Sequence, residues 1–175
     1  MSVIADYKFY VDWNNDGDFS DSTEDITSYV LQAEWTTGYG PPPERIAAGS
    51  CRLKLNNGTS VFSSFNTTSP IYGYTYPGRK VKITMAPEGG SHVTQWFGYL
   101  ETLEPNVGDT KESNTAILTA YGIFAQLNNA VVDMSLQENI TTGDAVDTLL
   151  DLVDYPADSE GFRDIDTGQT TLLKW

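Results

Sequence analysis

The sequence predicts a mainly β fold, a β-barrel or sandwich with a short C-terminal helical element, on three observations. Residues 51–55 and 80–85 place apolar side chains at every second position, the period of a half-buried strand. Aromatic residues make up 12% of the chain and its polar part is rich in Thr, Ser, Asn and Gly, which favours strands and turns over helical bundles. Turn signals punctuate the apolar runs at 38–43, 56–58, 87–90 and 106–109.

Taken in order, Tyr7, Lys8, Phe9, Tyr10 and Val11 are aromatic and β-branched and read as a first strand. Further strands are expected at 28–36, 51–55, 80–85, 94–103 and 114–120, with a short one near 131–134. Residues 62–79 form a long aromatic connection, and 123–128 read as a helical turn. The pattern changes at Ile140. Thr141 or Thr142 can cap a helix with Asp144 close behind, and Ala145, Val146, Leu149, Leu150 and Val153 make one apolar stripe. Asp144, Asp147, Asp151 and Asp154 line the opposite side, and Tyr155 before Pro156 stops the helix. The expected organisation is a β-barrel or sandwich domain over 1–138, then a helical appendage over 139–175 that reads as the start of a further domain. The apolar ending at 170–175 fits a docked terminus, a partner contact or a cut within a longer polypeptide.

At 175 residues the chain is long enough for a sizeable core in one domain. It has no apolar run of membrane-spanning length and no signal-peptide pattern, so the expectation is a soluble chain without membrane insertion. A net charge of −14 argues against nucleic-acid binding, which depends on neutralising phosphates with Lys and Arg. The lone Cys51 excludes an internal disulfide and suits a core position. The single histidine, His92, lies in a Gly-Gly-Ser-His loop, and no nucleophile elbow, phosphate loop or zinc spacing is present. The expectation is that the chain is not an enzyme.

The segment at 12–21 carries the clearest chemistry. Asp12, Asn14 and Asp16 fall at positions one, three and five of a calcium loop, with Gly17 at six for the sharp turn. The Asp18 carbonyl falls at seven and Ser20 at nine. Thr23 occupies position twelve, where a bidentate glutamate belongs, and Glu24 comes one residue late. With a strand before it, the segment reads as a rigid acidic corner of a β domain. Calcium is the expected cofactor, with Asp12, Asn14, Asp16, Asp18, Ser20 and Glu24 as candidate ligands. The alternative is a turn in which the Asx side chains satisfy their own backbone without an ion.

Charge is also segregated along the chain. Residues 45–87 hold six basic side chains and no acid, whereas 112–160 hold many acids and no base. Arg52, Lys54, Lys80 and Lys82 point outward from two alternating strands and would form one basic interface if those strands lie close together. The competing reading is a solvated face. Tyr72, Tyr74 and Tyr76 alternate within the aromatic connection, as a platform for sugar or protein contact or as pins that hold the loop down.

Several segments resemble, in order and spacing, the N-terminal region of tail-tip or baseplate hub-like minor tail proteins of long-tailed bacteriophages. They are the loop at 12–21, Phe65 and Asn66 followed by Ser69, Pro70, Tyr72 and Gly73, then Pro77, Gly78, Arg79 and Val81. Trp96 to Leu100, Leu127 with Asn128, and Ile140 to Gly143 complete the set. The resemblance implies a β-barrel-like domain that assembles as a ring at the end of the tail tube. Its partners would be copies of itself and other tail proteins, in a virion tail assembled in the host cytoplasm. The alternative is a calcium-stabilised β-sandwich carbohydrate-binding module with a surface glycan as its partner, and a hydrolase ranks third.

Overall fold

The computed structural model describes residues 5–38, 48–110, 114–129, 131–135, 138–153, 155, 165–168 and 171–172. The chain divides into two compact units, Met1–Ala125 and Gln126–Trp175.

The first unit is one curled antiparallel sheet. Its strands are β1 (Asp6–Val11), β2 (Val30–Thr36), β3 (Ser50–Asn56), β4 (Lys80–Ala86), β5 (Val93–Asn106) and β6 (Thr115–Gly122). They lie in the order β1-β4-β5-β6-β3-β2. The alternation read from the sequence is what buries one face. Cys51, Leu53 and Leu55 of β3 and Ala116, Leu118 and Ala120 of β6 point into a common core with Val81, Ile83, Trp96 and Leu100. Cys51 is 1% exposed, and burial pushes its thiol pKa up to about 12.

Register shifts between Val30 and Gln32, Ile83 and Thr84, and Leu100 and Thr102 bend the sheet, since a bulge adds local twist. Gly98 and Gly122 sit opposite each other where β5 pairs with β6. A Cβ on Gly122 would run into the Gly49 backbone, and one on Gly98 would meet the Tyr121 carbonyl and the Trp96 ring.

The curl brings the two edge strands toward each other. Trp35 of β2 packs edge-on against Tyr7 and Phe9 of β1, with ring centroids 5.6 and 6.5 Å apart. The open side of β1 is bonded by the residues that lead into β2. Val11 N–H donates to the Glu24 carbonyl at 3.0 Å, and Ile26 N–H to the Phe9 carbonyl at 2.9 Å. Phe9 N–H donates to Thr27 Oγ1 at 3.0 Å. A 3-10 turn over Thr27–Tyr29 then enters β2, so the strand expected from residue 28 begins two residues later.

One end of the curled sheet is closed by residues 57–79. Successive turns fold this segment, with N–H groups of Ser60, Ser63, Asn66, Ser69 and Tyr72 each bonded to the carbonyl three residues back. Phe62 and Ile71, 1% and 2% exposed, anchor it in the core. Phe62 packs against Trp13 and Tyr29, and Asn57 Oδ1 accepts from Phe62 N–H at 3.0 Å.

The helical turn expected at 123–128 is α1 (Phe124–Asn129). No strand forms at 131–134. Residues 131–135 lack regular structure and Val131 is 97% exposed, because an apolar run without a pairing partner has no ladder to join.

In the second unit, β7 (Ile140–Thr141) pairs antiparallel with β8 (Thr171–Leu172), and α2 spans Thr142–Leu152. Its cap is a reciprocal box. Thr141 Oγ1 accepts from Asp144 N–H at 3.1 Å, while Asp144 Oδ2 accepts from Thr141 N–H at 3.3 Å. Ala145 is buried, Leu149, Leu150 and Val153 are half-buried, and Val146 is exposed, so the predicted stripe is covered only in part among the described residues. Among the described residues no helix is long and apolar enough to cross a membrane. Most of the turn at 38–43, with Arg45, Asp154, Pro156, Thr170 and residues 173–175, lies outside the described residues.

Candidate functional site

The acidic loop begins where β1 ends. Asp12 N–H still bonds the Lys80 carbonyl at 3.0 Å, so its backbone continues the ladder to β4 while its side chain turns into the loop. Asp12 is wholly buried, and its two carboxylate oxygens accept from Asp16 N–H at 3.2 Å and Gly17 N–H at 3.1 Å. Gly17 has φ +92°, a left-handed conformation that residues with a Cβ avoid. The Lys80 ammonium lies beside it, at ordinary contact distance from where a Cβ would stand.

The other candidate ligands divide into two sets. Carboxylate oxygens of Asp12, Asp16 and Glu24 come within 4.8 Å of one another, a grouping able to hold a metal ion. Asn14 borders the group, its amide donating to Asp16 Oδ2 at 2.8 Å and to Asp21 Oδ2 at 2.9 Å. The Asp18 carboxylate is not part of that group. Asp18 Oδ1 accepts from Ser20 N–H at 2.8 Å, and the hydrogen bonds from Ser20 hold the Asp18 pKa below its usual value.

Glu24 is 1% exposed. Its Oε2 accepts from Asp21 N–H at 3.0 Å, but its Oε1, fully shielded from solvent, has no hydrogen-bond partner among the described residues. Burial pushes the Glu24 pKa up to about 7, opposed by the Asp21 N–H bond and assisted by the charges of Asp12, Asp16 and Asp21. A shielded carboxylate oxygen beside two other carboxylates is the electrostatic arrangement that a hard cation with oxygen ligands relieves.

Aromatic contacts hold the loop in place. Trp13, 2% exposed, donates from its indole N–H to the Thr23 carbonyl at 3.2 Å. Phe19 lies edge-on to Tyr10 and Phe97, with the Lys82 ammonium 3.9 Å from its ring centre. The sequence assigns no such role to Trp13 or Phe19. The available signal was two large aromatics inside an otherwise polar turn.

The four basic residues do not form one contiguous patch. Strands β5 and β6 separate β4 from β3, so Lys80 and Lys82 lie three strand spacings, about 14 Å, from the strand of Arg52 and Lys54. Phe97, Tyr99 and Tyr121 fill the outer face between them, with Lys80 opposite Tyr99 and Tyr99 opposite Tyr121. Arg52 and Lys54 line an open polar groove of about 330 Å³ with Gln32, Glu34, Asn106 and Thr115. Tyr72, Tyr74 and Tyr76 are 49%, 45% and 60% exposed, and the Arg79 guanidinium stacks 5.9 Å from the Tyr76 ring centre.

No curated protein matches the chain in sequence. In structure it is similar to the 43 kDa tail protein of prophage MuSo2 from Shewanella oneidensis, at 10% identity and a TM-score of 0.47. The similarity covers 98% of this chain and 44% of that one, so the chain spans less than half of that protein's length. Residues 6–77 match the family model of the GEVED domain, a stretch that includes β1, the acidic loop, β2 and β3.

Proposed function

We propose that this chain is a structural component of a phage tail tip or baseplate, that it assembles as a ring with copies of itself and other tail proteins, and that its acidic loop holds calcium. The role is non-catalytic and belongs to the virion tail. Support comes from the ordered sequence motifs that resemble those of tail proteins and from the mainly β fold which that resemblance implies.

The observation that carries the assembly reading is an electrostatic imbalance. In a chain of net charge −14, Arg52 and Lys54 are exposed on the outer face of β3 without an ion pair among the described residues. A ring subunit meets its neighbours through two different surfaces, so an unpaired basic face and an acidic surface on the next copy are complementary without a ligand. Arg52→Glu with Lys54→Glu should lower the mass of the assembly measured in solution at low salt. An unchanged mass at every salt concentration would sink the reading.

The exposed tyrosines favour a second reading, a glycan-binding surface at Tyr72, Tyr74 and Tyr76. Trp96 takes no part in it, being 4% exposed with its indole N–H donated to the Thr36 carbonyl. Glycan-array binding that disappears in Tyr74→Ala is its expected result, and an array without any signal removes it.

A further inference from the structure

At the outer side of β1 the sheet is fastened to the chain's own connecting segment rather than continued by a further strand. Along the outer side of β1, Val11 and Phe9 bond across to Glu24, Ile26 and Thr27 of the segment that leads into β2, and Tyr10 forms an isolated bridge with Asp25. This seam has few bonds, and an exposed edge with unpaired groups is the weak point of any sheet.

The three grouped carboxylates stand at the end of the seam. Asp12 follows Val11 on the β1 side, and Glu24 is the residue whose carbonyl accepts from Val11 N–H on the other side. Both are buried, at 0% and 1% exposure, so water does not screen their mutual repulsion. Asp16 reaches over from the loop that joins the two sides. Ionised together, these side chains push the seam apart, and among the described residues Glu24 Oε1 has no donor to offset its charge.

We infer that a hard divalent cation at Asp12, Asp16 and Glu24 fastens this seam, binding oxygens from both of its sides and joining β1 to the segment that enters β2. The inference rests on the calcium reading of the loop and adds to it a ligand set and a task. The Asp18 carboxylate is not one of the three grouped carboxylates, and it accepts from Ser20 N–H within its own short turn. Calcium suits the site better than magnesium, since irregular carboxylate geometry meets calcium's flexible coordination and not a strict octahedron.

The test uses the full chain, first stripped with chelator and then titrated with calcium. Calorimetry and terbium luminescence sensitised by the neighbouring Trp13 report binding. Amide hydrogen exchange at Phe9, Val11 and Ile26 reports the seam, and exchange at Leu53 and Leu118 reports the centre of the sheet. Calcium should slow exchange at the three seam amides more than at the two central ones. Asp16→Asn alters an exposed side chain that is compatible with folding, and should weaken calcium binding roughly 10–100-fold together with the seam protection. If calcium binds and seam exchange is unchanged, or slows only in step with the centre, the fastening role is wrong while the calcium reading stands. If neither calcium nor terbium binds, both are wrong.

Discussion

The two long loops of the sheet unit, residues 12–26 and 57–79, solve the same problem in opposite ways. Each must cross the surface while its backbone polar groups stay satisfied. Residues 57–79 do so alone. Their turns repeat every three residues, Ser69 Oγ donates to the Val61 carbonyl at 2.6 Å, and Phe62 and Ile71 bury themselves in the core. The acidic loop has comparable turns and its own anchor in Trp13, yet it leaves Glu24 Oε1 shielded and without a partner among the described residues. An apolar anchor stabilises at any ionic composition, whereas a cluster of carboxylates is stable only with something bound or a proton taken up.

The largest expected effect breaks the self-sufficient loop. Phe62→Ala removes a side chain that touches both Trp13 and Tyr29, and should cost about 3–5 kcal/mol in urea unfolding, with or without calcium. A loss below about 1 kcal/mol would mean the anchor is not what holds this loop.

An intermediate effect sharpens the contrast. Calcium at a hundredfold excess over its Kd should add about 2.7 kcal/mol, lost on chelation and read as a fall in Tm. With chelator present, Glu24 should make stability depend on pH in a defined direction. Its folded pKa of about 7 lies above the ordinary 4.5, so between these values the native state keeps a proton that the unfolded chain has released. Stability of the cation-free chain therefore falls as pH rises from 4.5 to about 7. Glu24→Gln should flatten that dependence and abolish the response to calcium, and a pH profile identical to that of the parent chain would contradict the burial argument.

The smallest effect separates residues within the acidic loop. Asp18→Asn alters an exposed side chain whose bond is local, and should change stability by no more than about 0.5 kcal/mol. Calcium affinity should fall far less than in Asp16→Asn. Equal losses in calcium titrations of the two variants would return Asp18 to the ligand set.

Much of the fold is written in local pattern. Alternation in β3 and β4, the capping box at Thr141 and Asp144, and the core position of Cys51 each depend on neighbours a few residues away, which a sequence displays directly. The expected strand near 131–134 failed for the complementary reason, since apolar content without a partner strand does not make a ladder. The candidate ligands were legible as a spacing, but not their division. Asp12 and Glu24 meet because they lie on two sides of a seam, and Lys80 stands beside Gly17 although 63 residues separate them in the numbering.

Strand periodicity, the turn at Gly17, the helix start at Thr141 and the surplus of acid are all legible in the residues alone, because each follows from side-chain type and short-range geometry. The assembled sheet is what puts β5 and β6 between the basic strands, so that Arg52 and Lys54 stand apart from Lys80 and Lys82. It also decided that Glu24, one residue beyond the expected twelfth position, is buried with an unpartnered oxygen against Asp12 and Asp16. Strand order and burial depend on which distant segments meet, and the free energy of a carboxylate depends on the water it loses there.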